Sequence, residues 1–309
     1  MKITVVGAGN VGATCADVLC QKDAASELVL LDIKEGLAEG KALDLWQSAP
    51  INRFNTRPIG VTNDYEATKN SDVVVITSGL PRKPGMSRDD LIEINAGIVK
   101  SVTESIIKYS PNTTIIVVSN PLDVMTYQAY LTAKIPKNKV IGMAGVLDTG
   151  RYRAFLAQEL HVSPKDIQAV LMGGHGDTMV PLPRYTTVSG IPVTELITKE
   201  KLDAIIERTK FGGGELVKLM GTSAWYAPGS AAAHMAEAVA NDQKRLMPCC
   251  VKLEGEYGLK DVFVGVPIVL GAGGVEQIIE LDLTDEELKL LQQSASSVKE
   301  MMDVVDKMK

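Results

Sequence analysis

The chain has 309 residues, of which 45% are hydrophobic, and this length predicts about two domains with sizeable cores. Its formal net charge of -6 offers no basic surface to nucleic acid or to an anionic membrane, and no apolar run reaches the ~18 residues of a membrane-spanning helix. Because the first predicted strand begins at Lys2, no signal peptide is expected and the cytoplasm is the predicted location. The four cysteines form no CxxC pair, which favours reduced, packed thiols over disulfides or metal ligands.

Short β-branched runs alternate with longer helical patterns in the first half of the chain, as a parallel sheet with crossover helices requires. Strands are predicted at 2–6, 27–32, about 56–62, 72–77, 113–118 and about 139–142. They predict a doubly wound, Rossmann-type α/β domain over 1–143. A mixed α+β second domain is predicted over 144–309, with helices at about 147–161, 195–220 and 228–241, strands near 166–172, 246–253 and 262–270, and a C-terminal helix beginning within 283–288.

The first predicted strand leads into a glycine-rich turn, Gly7-Ala8-Gly9-Asn10-Val11-Gly12, and the second strand ends at Asp32. Gly7 permits the tight turn, Gly9 allows a pyrophosphate to approach the backbone, and Gly12 lets the following helix pack closely. The helix N-terminal amides can then bind anionic oxygens, while Asp32 holds the ribose hydroxyls. Because Asp32 repels a 2′-phosphate and Ile33 offers no cation to receive one, the pattern predicts binding of NAD rather than NADP.

Polar segments follow the later strands at the carboxyl edge of the predicted sheet, where ligands of open α/β sheets bind. The segment 79–88 carries Arg82, Lys83 and Arg88 among two prolines and two glycines. It predicts a hinged, cationic lid rather than a plain basic surface loop. Asn120, in Ser119-Asn120-Pro121, is a candidate donor to a substrate or a nicotinamide group, although Asn-Pro alone signals only a turn.

A histidine with a carboxylate partner is the second predicted constellation. Asp148 and Arg151 are three residues apart on a predicted helix and share one face, either as a simple ion pair or as an imidazole partner and a carboxylate anchor. His175 lies between glycines in Gly173-Gly174-His175-Gly176-Asp177, which lets substrate and cofactor approach the ring. Its ordinary pKa of about 6.5 suits proton transfer near neutrality.

Together these motifs resemble those of the lactate/malate dehydrogenases, and the resemblance covers essentially the whole chain. The segments that carry it are Gly7-Ala8-Gly9-Asn10-Val11-Gly12, Pro81-Arg82-Lys83-Pro84-Gly85-Met86, Ser119-Asn120-Pro121, Leu147-Asp148-Thr149-Gly150-Arg151 and Gly174-His175-Gly176-Asp177. The second and fourth segments are similar to those of the bacterial, lactate-dehydrogenase-like branch of the family. The resemblance implies reversible hydride transfer between NAD and a small 2-hydroxy acid.

The resemblance also implies a role for each site residue. It implies that His175 donates and accepts the proton with Asp148 as its partner, that Arg151 binds the shared carboxylate, and that Arg88 polarises the carbonyl when the lid closes. Asn120 would contact both substrate and cofactor. Further implied NAD contacts come from Asn95 and from the backbone at Val118, Ser119 and Asn120.

Arg82 decides the expected substrate. Lactate dehydrogenases of the family typically carry a neutral glutamine at this position, whereas an arginine offers a cation to the second carboxylate of malate or oxaloacetate. Burying Arg82 without that anion would cost several kcal/mol, on the order of 3 to 5. Malate and oxaloacetate are therefore the expected substrates, and a lactate or other 2-hydroxy acid dehydrogenase is the nearest alternative.

Two alternative interpretations come from other classes of protein, and the sequence argues against both. A catalytically silent NAD-binding or structural protein would not need the complete set of His175, Asp148, Arg88 and Arg151. An NAD-dependent glycosidase on a related fold would need a metal-binding Cys/His arrangement that the scattered cysteines do not offer.

The resemblance further implies a homo-oligomer, either a dimer or a tetramer. The helical segment 39–46 and the alanine-rich segment around His234 are predicted interface surfaces, because family members pair through comparable helices. Core packing would explain the same apolar residues equally well. No metal, nucleic-acid or membrane partner is expected.

Overall fold

The computed structural model describes residues 1–81 and 87–308. The strands of the N-terminal half lie within one or two residues of their predicted bounds, and helices connect most of them. The elements of this half are β1 (Lys2–Val6), α1 (Asn10–Gln21), β2 (Glu27–Asp32), α2 (Leu37–Asn52), β3 (Arg57–Thr62), β4 (Val73–Ile76), α3 (Arg88–Tyr109), β5 (Thr114–Val117), α4 (Leu122–Ala133) and β6 (Val140–Gly142).

The C-terminal half is more irregular. Its elements are α5 (Gly145–Leu160), β7 (Ile167–Gln168), β8 (Leu171–Met172), β9 (Val180–Pro181), β10 (Thr187–Val188), β11 (Ile191–Pro192), α6 (Val193–Leu196), α7 (Lys199–Met220), α8 (Tyr226–Ala240), β12 (Arg245–Glu254), β13 (Lys260–Gly271), β14 (Gly274–Ile278) and α9 (Asp285–Lys307).

Strands β1 to β6 form one parallel sheet in the order β3-β2-β1-β4-β5-β6. Alternate side chains of β1 enter different cores, since Ile3 and Val5 cluster with residues of α1 and α8 while Val6 clusters with residues of α3 and α4. Helices therefore cover both faces, which explains why the strands are continuously apolar. The doubly wound fold predicted from the sequence is confirmed, and its strand order reverses between β1 and β4, where such sheets open a ligand crevice.

The two halves of the chain share a sheet. Strand β12 pairs antiparallel with β6 through Cys250 and Gly142, and β13 and β14 continue outward, so that nine strands form one sheet within the described residues. The sheet thus joins the two segments across residue 143. The division of the chain at that residue stays a prediction from the sequence.

The structure differs from the sequence predictions mainly in short elements. The helix predicted over 195–220 is divided into α6 and α7, because Ile197 and Thr198 adopt extended backbone. The strand predicted near 166–172 is instead β7 and β8, which belong to different small sheets. None of the described helices has both the length and the apolar character needed to cross a membrane.

Candidate active site

The glycine-rich turn after β1 lies at the reversal point of the strand order. Gly7 has a left-handed backbone (φ 102°), and an added Cβ there would lie 2.7 Å from the Thr77 Oγ1 atom. An added Cβ at Gly12 would overlap the carbonyl oxygen of Gly7, so the helix packs directly on the turn. At Gly9, in contrast, no heavy atom of the described residues would lie within 4 Å of an added Cβ.

The N-terminus of α1 suits a bound anion. Gly9 caps the helix with no side-chain hydrogen bond, and the first turn holds no acidic residue. The amides of that turn therefore have no side-chain acceptor within the described part of the chain. Together with the open face of Gly9, they fit the pyrophosphate of a dinucleotide.

Asp32 lies at the end of β2 and faces this turn. Its carboxylate accepts hydrogen bonds from the Ala8 N–H at 2.6 Å and the Lys34 N–H at 2.9 Å, and it stays partly exposed. Lys41 of α2 also lies within its electrostatic reach. Burial lowers the pKa of Lys41, and attraction to Asp32 only partly offsets this effect. This cation was not predicted from the sequence, because only Ile33, the immediate neighbour of Asp32, was considered.

Gly9→Ala should weaken NADH binding by about 10-fold or more without lowering Tm. Alanine can adopt the Gly9 backbone (φ -63°, ψ -172°), and its methyl group would occupy only the space that a pyrophosphate needs. Gly12→Ala should instead destabilise the fold by about 1 to 3 kcal/mol, because its methyl group meets the Gly7 carbonyl. NADH fluorescence titration and thermal unfolding of both variants test this contrast. Unchanged NADH affinity in Gly9→Ala would contradict a pyrophosphate at the turn.

Asn95 ties the base of the predicted lid to the turn after β5. Its Nδ2 group donates to the carbonyl oxygens of Leu80 at 3.1 Å and Asn120 at 2.7 Å, and its Oδ1 atom accepts from the Leu80 N–H at 2.8 Å. The side chain is buried. Asn95 therefore positions two neighbouring segments, and its contact with NAD stays a prediction.

The remaining predicted site residues at the carboxyl edge of the sheet differ in burial. Val118 and Ser119 are buried, and the Ser119 hydroxyl donates to the Ser78 carbonyl oxygen, whereas Asn120 is exposed. Arg88 is the first residue of α3, next to a capping box formed by Ser87 and Asp90. Its side chain is exposed and has no hydrogen bond or ion pair to any described residue. Arg82 lies outside the described residues.

The structure brings His175, Asp148 and Arg151 together, as the sequence predicts. The Nδ1 atom of His175 lies 2.8 Å from Asp148 Oδ2, and Asp148 Oδ1 accepts a hydrogen bond from Arg151 Nη1 at 3.3 Å. The Asp148 side chain is only 2% exposed, whereas those of His175 and Arg151 are 19% and 12% exposed. One buried carboxylate thus contacts both the imidazole and the guanidinium.

Charges around His175 favour its protonated form. Burial lowers the pKa of the imidazole, but attraction and hydrogen bonding to Asp148, with attraction to Asp123, outweigh burial and the repulsion from Arg151. The net effect is a pKa above the ordinary value. A hydrogen bond from Nδ1–H to Asp148 leaves Nε2 as the atom that can exchange a proton with a ligand.

Two family models match the chain. The lactate/malate dehydrogenase NAD binding domain matches residues 1–142, and the lactate/malate dehydrogenase alpha/beta C-terminal domain matches residues 145–308. The chain belongs to the lactate/malate dehydrogenase family. The resemblance drawn from its motifs is therefore confirmed.

Several members of the lactate/malate dehydrogenase family are similar to this chain over nearly their whole length. The malate dehydrogenase of Cytophaga hutchinsonii is 70% identical, over 99% of this chain and 98% of that protein. The solved malate dehydrogenase of Salinibacter ruber has a TM-score of 0.96 at 57% identity, and the match covers 100% and 98% of the two chains. A lactate dehydrogenase of Cryptosporidium parvum, solved with lactic acid and nicotinamide adenine dinucleotide, has a TM-score of 0.94 at 41% identity, with 99% and 98% covered. Since these enzymes share one fold, side chains rather than topology must separate their substrates.

The side chains that commonly bind metals are dispersed in the described part of the chain. Within residues 1–81 and 87–308, no group of three or more His, Cys, Asp or Glu side chains is arranged to hold a metal ion. The four cysteines are all buried and unpaired.

The absence of a side chain at Gly212 leaves room for the Arg151 side chain. This role was not predicted from the sequence. An added Cβ at Gly212 of α7 would overlap Arg151 Cδ, whereas one at Gly213 or Gly214 would have no described heavy atom within 4 Å. A glycine inside a helix costs about 1 kcal/mol relative to alanine. The run of three glycines was therefore a usable signal, although the sequence does not tell which of the three contacts the site.

Gly212→Ala should raise the KM for the 2-hydroxy acid by about 10-fold, because the added methyl group must displace the Arg151 side chain from its position beside Asp148. Gly213→Ala is the matched control, since the same change in the same helix meets no heavy atom of the described residues within 4 Å. It should leave KM unchanged and raise stability by up to about 1 kcal/mol. Steady-state kinetics on both variants test the assignment, and equal KM values would contradict it.

Proposed function

We propose that this chain is an NAD-dependent malate dehydrogenase that interconverts malate and NAD with oxaloacetate, NADH and a proton. The observation that carries the proposal is the His175–Asp148–Arg151 cluster, which combines a proton-exchange group with a carboxylate anchor in a family defined by an NAD-binding domain. High identity to malate dehydrogenases over the whole chain supports the choice of substrate.

The proposed mechanism assigns the proton to His175. In malate oxidation the neutral ring accepts the proton of the C2 hydroxyl at Nε2, and Asp148 stabilises the resulting imidazolium through Nδ1–H. In oxaloacetate reduction the protonated ring returns that proton to the carbonyl oxygen. Arg151 holds the C1 carboxylate with its guanidinium. When bound, NAD supplies the hydride acceptor at C4 of its nicotinamide ring.

The remaining substrate and cofactor contacts are also proposals. Arg88, exposed at the start of α3, would polarise the C2 carbonyl, and Asn120 would bind both ligands. Arg82 would hold the second carboxylate. The proposed NAD contacts are Gly7, Ala8, Gly9, Asn10, Val11, Gly12, Asp32, Asn95, Val118, Ser119 and Asn120.

Initial rates of NADH oxidation with oxaloacetate and with pyruvate, measured in parallel at matched concentrations, test the proposed reaction. Fast turnover of oxaloacetate with little turnover of pyruvate is expected. A preference for pyruvate would favour a lactate dehydrogenase instead. Inactivity with both substrates, despite NADH binding, would favour a catalytically silent NAD-binding protein.

We also propose that the protein is a homo-oligomer, either a dimer or a tetramer. On α2 the large apolar side chains Leu43, Trp46 and Ile51 are 58%, 46% and 78% exposed, which suits an interface better than a free surface. A solution mass well above 33.1 kDa is expected, and a monomer would contradict the proposal. The proposed location is the cytoplasm, where buried, unpaired cysteines stay reduced.

A further inference from the structure

Two successive main-chain amides beside the catalytic ring are held by buried side chains from other elements. The Gly174 N–H donates to the Ser294 hydroxyl of α9 at 2.7 Å, and the His175 N–H donates to Asp123 Oδ2 of α4 at 2.8 Å. Ser294 is 2% exposed and Asp123 is 3% exposed. Neither residue belongs to the site predicted from the sequence, and neither is needed by the proposed mechanism.

Asp123 is a buried carboxylate with few hydrogen-bond partners. Its second oxygen, Oδ1, is buried and has no hydrogen-bond partner among the described oxygen and nitrogen atoms, while the Cys250 thiol lies beside the carboxylate. Burial raises the pKa of Asp123, and the His175 N–H, the His175 ring and the Cys250 thiol act in the opposite direction. Burying a carboxylate with so few hydrogen-bond partners destabilises a fold, so packing alone does not explain Asp123.

Among the described residues, the charges that act on the His175 ring lie on α4 and α5. Asp148 and Arg151 lie on α5, and Asp123 lies on α4, while the α9 residue at this place, Ser294, is neutral. When ionised, Asp123 places a second negative charge beside His175, on a different element from the hydrogen-bonded partner Asp148. Its attraction favours the protonated ring, as that of Asp148 does.

We propose that Asp123 is a positioning residue for proton transfer: its carboxylate fixes the main chain of His175 and its charge helps Asp148 to stabilise the protonated ring. Ser294 fixes the neighbouring amide but brings no charge. The inference rests on the proposed function only in taking His175 as the proton-exchange group.

NMR titration of the His175 ring in the resting protein tests this role without any substrate. Asp123→Asn keeps an oxygen that can accept the His175 N–H and removes the charge. The ring should therefore titrate at a pH lower by about one unit than in the unmodified protein. Ser294→Ala, which removes the neighbouring neutral anchor, is the matched control and should leave the titration midpoint in place. A His175→Asn variant identifies the ring signal among the three histidines.

Kinetics provide the second readout. In Asp123→Asn, kcat for oxaloacetate reduction at neutral pH should fall by about 5- to 10-fold, with KM and NADH affinity unchanged, and should recover at lower pH. If Asp123→Asn does not fold, Asp123→Ser removes the same charge and carries the same expectation. An unchanged midpoint on loss of the charge, or an equal shift in Ser294→Ala, would overturn the inference. Because the titration needs no turnover, inactivity of the protein with oxaloacetate would overturn the proposed function alone.

Discussion

Asp148→Asn should lower kcat for oxaloacetate reduction at pH 7 by about 100-fold or more. The Asp148 carboxylate accepts hydrogen bonds from both His175 and Arg151. It is almost fully buried, so water cannot take over these contacts when the carboxylate is removed. Asparagine would offer only one acceptor oxygen and no charge to the imidazolium. General acid–base catalysis of this kind contributes about 10²- to 10⁴-fold to enzymatic rates, and most of that contribution depends on the partner of the histidine.

The pH–rate profiles of Asp148→Asn should move to lower pH in both reaction directions. Oxaloacetate reduction needs protonated His175, and the raised pKa of this ring should keep the unmodified protein active to a pH above the ordinary histidine range. Losing the Asp148 charge lowers the pKa, so reduction should be lost at a lower pH. Malate oxidation needs the neutral ring, and its activity should begin at a correspondingly lower pH.

Rate profiles in both directions from pH 5 to pH 9 are the measurement. Glu237→Gln is the matched control, because the Glu237 carboxylate lies 3.7 Å from the Nδ1 atom of a different histidine, His234. It should leave both profiles unchanged. Profiles of Asp148→Asn that coincide with those of the unmodified protein would exclude Asp148 as the partner in proton transfer.

The nucleotide unit could be predicted from the sequence because its determinants are local. Gly7 needs its left-handed backbone, Gly12 packs on the Gly7 carbonyl within one turn and one helix, and Asp32 lies at the end of a continuous apolar strand. His175 and Asp148 are 27 residues apart, yet the chain has only three histidines, and only one of them lies between glycines. Few alternative pairs of a histidine and a carboxylate therefore had to be excluded to predict the site.

The parts that were missed depend on contacts that a sequence does not record. Asp123 and Ser294 each accept from a main-chain amide of another element, and no side-chain pattern identifies that amide. Strands β7 to β11 have two residues each, which is too short for alternation to be recognised. In β14, the exposed residues Glu276 and Gln277 interrupt the apolar pattern, so the strand depends on its pairing with β13.

Arg82→Gln should lower kcat/KM for oxaloacetate by several hundredfold and raise that for pyruvate. A second carboxylate entering a closed site needs a cation, and leaving either charge unpaired there costs on the order of 3 to 5 kcal/mol. With glutamine at this position the site would no longer carry that cation, so the smaller, singly charged substrate would be favoured. The prediction rests on the sequence, since Arg82 lies outside the described residues.

The described residues on either side of this segment have defined hydrogen bonds. Leu80 is hydrogen-bonded to buried Asn95, and Ser87, the N-cap of α3, forms a reciprocal capping box with Asp90. Because Asn95 also donates to the Asn120 carbonyl oxygen, Leu80 is held at the carboxyl edge of the sheet.

Lys83→Gln is the matched control for Arg82→Gln, because it removes the same charge one residue away. It should leave the ratio of the two kcat/KM values within a few-fold of the unmodified protein, since a general loss of positive charge weakens attraction to both anionic substrates. If both variants changed the ratio equally, the net charge of the segment would determine the preference. A ratio unchanged in Arg82→Gln would mean that the second carboxylate is bound elsewhere, and the choice of malate over lactate would then lose its physical basis in this residue.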